Sequence, residues 1–193
     1  RSLQLISSLG DPLYKINSNG LLEPSLAKSL PEISNKGLTI TIPLREDVFF
    51  HDGTKFNSHA MAFSLKRFIR IGTQNYVIAG RVKTIEAPSE YVIRIKLNKP
   101  SSSINGLLTS INLTPLSPKS YAEYKDKFLN KRFVGTGPYK LISFQPEKQR
   151  IEPFSNYWGK KPNNEGIDYI NFRNSSSLFG AIRNKEADVL LSN

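Results

Sequence analysis

Short strand-like and helix-like segments follow one another in this chain without a regular strand–helix–strand rhythm. That predicts a mixed α/β fold of the α+β kind, with antiparallel meander pieces. Three observations carry the prediction. Leu38, Ile40, Ile42 and Leu44 alternate with Thr39, Thr41 and Pro43, the period-two pattern of a half-buried strand. Met61, Leu65 and Phe68 fall at helical spacing, with Ala62 and Ile69 beside them. Tyr91, Ile93, Ile95 and Leu97 again alternate, just after the turn residues Pro88-Ser89-Glu90.

From the amino end, Leu3 to Tyr14 mixes apolar and small residues and predicts a short helix, broken by Gly10 and Pro12. Asn17-Ser18-Asn19-Gly20 is a turn. Glu23 to Ala27 reads as a helical turn, since Pro24 is tolerated in first helical positions. Pro43 marks a strand end or an edge, because it donates no ladder hydrogen bond. Val48 to Phe50 reads as a short strand, Asp52-Gly53 as a tight turn, and Asn57 or Ser58 as the cap of a helix ending near Gly72. Val82 to Glu86 is the strand before Tyr91 to Leu97. Residues 98–118 are loops around an apolar piece at Ile104 to Leu108, and Tyr121 to Phe128 is helical. Gly135, Gly137 and Pro138 constrain a loop before a strand at Tyr139 to Phe144. Strands follow around Gln149 to Phe154 and at Ile167 to Phe172. Ser175 is expected to cap a helix carrying Leu178, Ala181 and Ile182, and Ala187 to Leu191 to begin a further strand.

The 193 residues are 38% hydrophobic, with one Trp, eight Tyr and eleven Phe, enough for a packed core. No apolar run reaches the roughly 18 residues of a membrane span. The chain opens at Arg1 with no leader pattern, as expected of a processed product or an excised piece. With no cysteine there is no disulfide, thiolate site or Cys nucleophile. The formal net charge is +11, but Lys and Arg are scattered, with pairs such as Lys66-Arg67 the longest runs. No basic and aromatic stripe supports nucleic-acid binding, so a solvated surface is the simpler reading.

Catalytic patterns find little support. His51 beside Asp52 suggests a metal or catalytic pair, yet both residues suit the turn, and no cluster with ligand spacing surrounds His59, the other histidine. Gly135-Thr136-Gly137-Pro138-Tyr139 lacks the phosphate-loop spacing, and Pro138 removes an N–H donor. Asp47, Asp52, Asp126, Asp168 and Asp188 are spread out and form no acid/base pair in sequence. No Gly-x-Ser-x-Gly elbow is present. No metal, no cofactor and no catalysis are therefore expected.

Several blocks in order resemble one family. They are Leu21 to Leu30, Leu38 to Phe56 with Phe50-His51-Asp52-Gly53-Thr54-Lys55-Phe56 at its end, Ser64 to Arg67, Val134 to Tyr139, Asn156-Tyr157-Trp158-Gly159, and Lys185 to Val189. Together they resemble the extracellular solute-binding proteins of family 5, the peptide- and nickel-binding components of ABC importers. The departures are Leu30 where tryptophan is usual, Ser58-His59-Ala60-Met61 early in the helix, and Lys185-Glu186-Ala187 near the end.

The resemblance implies part of a two-lobed periplasmic-binding-protein type II clamshell. Residues 1–31 would be a first-lobe segment, 32–132 an inserted peripheral domain, and 133–193 the return to the first lobe, ending near the hinge. It implies a receptor that closes on a peptide or related small solute and hands it to the permease subunits of a transporter. The location would be periplasmic or extracytoplasmic, the protein monomeric, with no nucleic-acid partner, and lipid anchoring is left open. Positions near the cleft in relatives point to Gln74, Asn75, Tyr76 and Asn112 as ligand-binding residues, Tyr76 by stacking or hydrogen bonding. The ligand class is open among dipeptides, oligopeptides, nickel chelates, haem, oligosaccharides and opines. The competing readings are a ligand-sensing domain of a transcriptional regulator and a polyanion-binding module.

Overall fold

The computed structural model describes residues 2–71, 80–102, 104–129, 132–172 and 174–189. Helix α1 (Ser2–Leu9) is followed by a hairpin of β1 (Tyr14–Ile16) and β2 (Leu22–Pro24). Asn17 makes the hairpin turn, its Oδ1 accepting from the N–H groups of Asn19 and Leu21 at 3.0 Å each. The expected helical turn at Glu23 to Ala27 is not formed. Pro24 lies instead at the end of β2 opposite Tyr14, and Ala27 bridges to Leu44. Backbone bonds from Ser25 and Ala27 to the Leu13 carbonyl satisfy this stretch without a helix.

A four-stranded antiparallel sheet comes next, in the order β3 (Glu32–Ser34), β4 (Thr39–Pro43), β6 (Val92–Leu97), β5 (Val82–Ser89). Strand β4 matches the expectation, and Pro43 sits at its end. Strand β3 was invisible in sequence: its three residues are all exposed and carry no apolar alternation. The Val48 to Phe50 strand reduces to a single bridge between Phe49 and Lys55. Helix α2 (Ser58–Ile71) packs across β5 and β6 and buries Met61 and Leu65 against Ile85, Ile93 and Ile95. Asn57 is its cap, its Oδ1 accepting from the Ala60 N–H at 3.0 Å. Ser58 turns away, donating its hydroxyl to the Ser89 carbonyl.

Helix α3 (Ile104–Leu108) and a 3-10 turn at Ile111–Leu113 lead to α4 (Pro118–Leu129), which is kinked at Lys125 (φ 57°). A three-stranded antiparallel sheet of β7 (Tyr139–Phe144), β8 (Lys148–Pro153) and β9 (Ile167–Ile170) follows. One face carries Ile151 and Gln149 inward, and α1 packs on β7. The other is a solvated ladder in which Asp168 pairs with Lys148 and Arg150. Helix α5 (Ser175–Arg183) is capped by Asn174 rather than Ser175: Asn174 has extended backbone and its side chain accepts from the Ser177 N–H. Residues Ala187 to Val189 form no strand, and Leu190 and Leu191 lie outside the described residues. Mixed α/β structure of the predicted kind is thus confirmed.

Candidate functional site

Several turns and aromatics singled out in the sequence meet at one buried junction. Gly10 and Pro12 end α1 and leave Asp11 between them, only 3% exposed. Its carboxylate accepts hydrogen bonds from the Tyr157 hydroxyl (3.1 Å), the Trp158 indole N–H (3.1 Å) and the Thr136 hydroxyl (3.4 Å). Lys15 Nζ approaches to 3.6 Å from the solvent side. Burial raises the Asp11 pKa, and Lys15, Trp158, Tyr157 and Thr136 oppose that rise without cancelling it. Burial also raises the Tyr157 hydroxyl, reinforced by the neighbouring Asp11 charge. A charge held this far from water needs such donors, because an unpaired one is costly.

Loop 133–138 is threaded against α1. The Gly137 N–H donates to the Leu9 carbonyl at 3.0 Å. A Cβ at Gly135 would stand 2.2 Å from the Leu9 oxygen, so a backbone contact rather than a ligand explains this glycine. His51 holds the same loop from the other side. Its N–H donates to the Gly135 carbonyl at 2.9 Å, and its Nε2 lies 3.0 Å from the Gly137 oxygen. The ring packs edge-on against Phe154, centroids 5.0 Å apart. Burial lowers the His51 pKa to about 4, so the ring is neutral near pH 7 and Nε2–H is the donor. Asp52 accepts from the Thr54 N–H and hydroxyl and from the Ser117 hydroxyl. Its burial acts to raise the pKa, but those hydrogen bonds outweigh it and the net direction is down. His51 and Asp52 therefore serve the turn and its seams. Among the described residues, no three of His, Cys, Asp and Glu come together as a metal-binding group.

Two more residues, Arg45 and Thr114, close the junction. The Arg45 guanidinium lies 4.4 Å from the Trp158 ring centroid and pairs with Asp47 at 2.7 Å, while the Arg45 N–H donates to the Leu26 carbonyl. The Thr114 hydroxyl donates to the Asp11 carbonyl oxygen at 2.8 Å. Asn112, two residues earlier, is exposed in the 3-10 turn that packs on α1. Of the residues expected to meet a ligand, only Asn112 is described, and it lies at the outer edge of the junction. Gln74, Asn75 and Tyr76 lie outside the described residues. Asp11 was missed by sequence reasoning. The signal that points to it is the polar tips of Tyr157 and Trp158, which need a partner once buried.

A family model described as bacterial extracellular solute-binding proteins, family 5 Middle, matches residues 22–193. The glutathione-binding protein GsiB of Escherichia coli O1:K1 / APEC is 30% identical over 164 residues, covering 83% of this chain and 31% of that protein. The crystal structure of an ABC transporter substrate-binding protein from Sinorhizobium meliloti superposes with a TM-score of 0.83 at 30% identity, over 95% of this chain and 38% of that one. DppA from Helicobacter pylori, solved with the peptide STSA, gives 0.79 at 28% identity, over 93% and 40%. The chain thus spans about a third of the length of the relatives it matches. It belongs to the bacterial extracellular solute-binding proteins of family 5 and has the mixed α/β fold of periplasmic binding proteins.

Proposed function

We propose that this chain is part of the substrate-binding receptor of an ABC importer. It binds a peptide or a related small solute between two lobes outside the cytoplasm, delivers it to membrane permease subunits, and catalyses nothing. The observation that carries the reading is the family match across residues 22–193. The junction agrees with it in kind: the carboxylates of Asp11 and Asp52 and the hydroxyls of Thr136, Tyr157 and Ser117 are spent on joining three stretches of chain. In this reading residues 1–31 and 133–193 build the first lobe and 32–132 an inserted domain. Gln74, Asn75, Tyr76 and Asn112 face the ligand, and the second lobe comes from chain not included in these 193 residues.

Glutathione leads the candidate cargoes because GsiB is named for binding it. The peptide bound by DppA and the Ni(L-His) bound by NikZ from Campylobacter jejuni, 27% identical, widen the class. A thermal-shift screen of the full-length protein against glutathione, di- and oligopeptides, Ni(L-His), haem, oligosaccharides and opines tests the reading. A specific ligand at about 100 times its Kd adds about 2.7 kcal/mol and raises the melting temperature. A folded full-length protein that responds to none of these speaks against the receptor. Tyr76→Ala and Asn112→Ala should each weaken the hit; unchanged affinity in both removes them from the site.

A further inference from the structure

The tetrapeptide Asn-Gly-Leu-Leu occurs twice in this chain, as Asn19-Gly20-Leu21-Leu22 and as Asn105-Gly106-Leu107-Leu108. The fold places the two copies differently. The first turns the hairpin between β1 and β2, and Ser18, Asn19 and Gly20 are all exposed. Gly20 has φ +77°, and a Cβ built on it would meet nothing within 4 Å. Asn17, not Asn19, organises the turn. Its Oδ1 accepts from the N–H groups of Asn19 and Leu21, and its carbonyl accepts from the Gly20 N–H at 3.0 Å. Among the described residues the Asn19 side-chain amide has no hydrogen-bond partner. The second copy lies within helix α3, whose ends, Ile104 and Leu108, are both buried.

An asparagine side-chain carbon stands one five-membered ring away from the backbone nitrogen of the next residue. A side chain on that next residue hinders the approach, and glycine has none. Closing the ring rotates ψ of the asparagine away from its helical value. In α3 that rotation means giving up backbone hydrogen bonds and the burial of Ile104 and Leu108. In the hairpin turn only the Gly20 bond to Asn17 has to open, and an exposed turn opens at low free energy.

We propose that Asn19 is a site of spontaneous covalent modification, deamidation through a cyclic imide, and that the helix protects Asn105 from the same reaction. The Gly20 nitrogen loses its proton and bonds to Asn19 Cγ. The Cγ–Nδ2 bond breaks, and the side-chain nitrogen leaves as ammonia. Water, the one co-reactant, then opens the imide. Opening at Cγ gives aspartate, and opening at the main-chain carbonyl gives isoaspartate. Neither step is a redox step: an amide and water become a carboxylic acid and ammonia. Either product puts a negative charge in the turn. Isoaspartate also lengthens the connection that sets Ile16 opposite Leu22. This chemistry is independent of the proposed receptor function.

The test is ageing of the full-length protein in mildly alkaline buffer, followed by digestion and tandem mass spectrometry, which tells acid from amide at each asparagine. In the native protein Asn19 should convert about tenfold or more faster than Asn105. In guanidinium chloride the gap should close, because the two copies share their sequence and only the fold separates them. Gly20→Ala should slow conversion at Asn19 by about tenfold or more and leave Asn105 unchanged, with far-UV circular dichroism certifying the fold. Methyl transfer by an isoaspartyl methyltransferase should label the aged protein and not the fresh one. Equal native rates at Asn19 and Asn105 would overturn the inference. So would a gap that persists in guanidinium chloride, or a native Asn19 that stays intact over the time in which the denatured protein converts.

Discussion

Trp158 and His51 show how single side chains hold this molecule together. Trp158 gives Asp11 one of its three side-chain hydrogen bonds and lies under Arg45. Trp158→Phe keeps an aromatic ring but removes the N–H, leaving the buried carboxylate short of a donor. Urea denaturation should show a loss of about 1–3 kcal/mol; an unchanged midpoint would place the charge elsewhere. His51 sets a pH dependence. Its folded pKa is about 4, below the ordinary 6.5, so between these values the unfolded chain binds more protons than the native one. The stability tied to its neutral form is complete above about pH 6.5 and is lost as pH falls towards 4. Asp11 acts in the opposite sense, since its raised pKa favours the protonated native form as pH falls. Comparison with His51→Gln isolates the histidine: the wild type should lose more stability than the variant between pH 7 and pH 5. Parallel losses would refute the assignment.

At the level of elements, two glycines separate backbone conformation from crowding. Gly53 makes the Asp52-Gly53 turn at φ +82° with open space around its Cα. Gly135 has no special φ but is pressed against Leu9 and Phe133. Gly53→Ala should cost about 1 kcal/mol, from left-handed backbone alone. Gly135→Ala should cost more, roughly 1–3 kcal/mol or above, because the Leu9 backbone and the Phe133 ring must both shift. Chemical denaturation of the two variants checks the order, and a milder Gly135→Ala would mean that loop 133–138 yields freely. The same contrast explains which elements were legible. Strand β4 and helix α2 each bury one face, and burial writes a period into sequence. Strand β3 buries nothing, so pairing with β4 is its only cause. Pro24 misled because it suits a helix start and a strand end equally, and β1 decides between them. At α5 the neighbouring Asn174 and Ser175 are both capping types; the extended backbone at Asn174 selects it.

Across the whole molecule, the stretches before Pro31, from Glu32 to Arg132, and after Phe133 are joined by many separate contacts. They include Lys28 to Pro43, Arg45 to Leu26, His51 to Gly135, Ser117 to Val134 and Thr114 to Asp11. No stretch can leave without exposing hydrogen-bonded groups of the others, so unfolding should be a single transition. The chain has one tryptophan, and it sits in the junction. Its fluorescence and the far-UV circular dichroism should therefore report the same urea midpoint. A fluorescence transition at lower urea would mean that the junction opens while the sheets persist.

Local order in this protein was written along the chain: alternating apolar residues, a capped amphipathic helix, the Asp52-Gly53 turn, and the ordered blocks that mark family 5. The junction was not. Asp11 meets Thr136, Tyr157 and Trp158 across separations of 125, 146 and 147 residues. A lone aspartate between Gly10 and Pro12 has no periodicity, and its partner nearby in sequence, Lys15 at 3.6 Å, does not reveal the buried donors that hold it. Periodic burial is a property of neighbours in sequence, whereas a buried charge is satisfied by whatever residues the packed chain brings within about 3 Å of it.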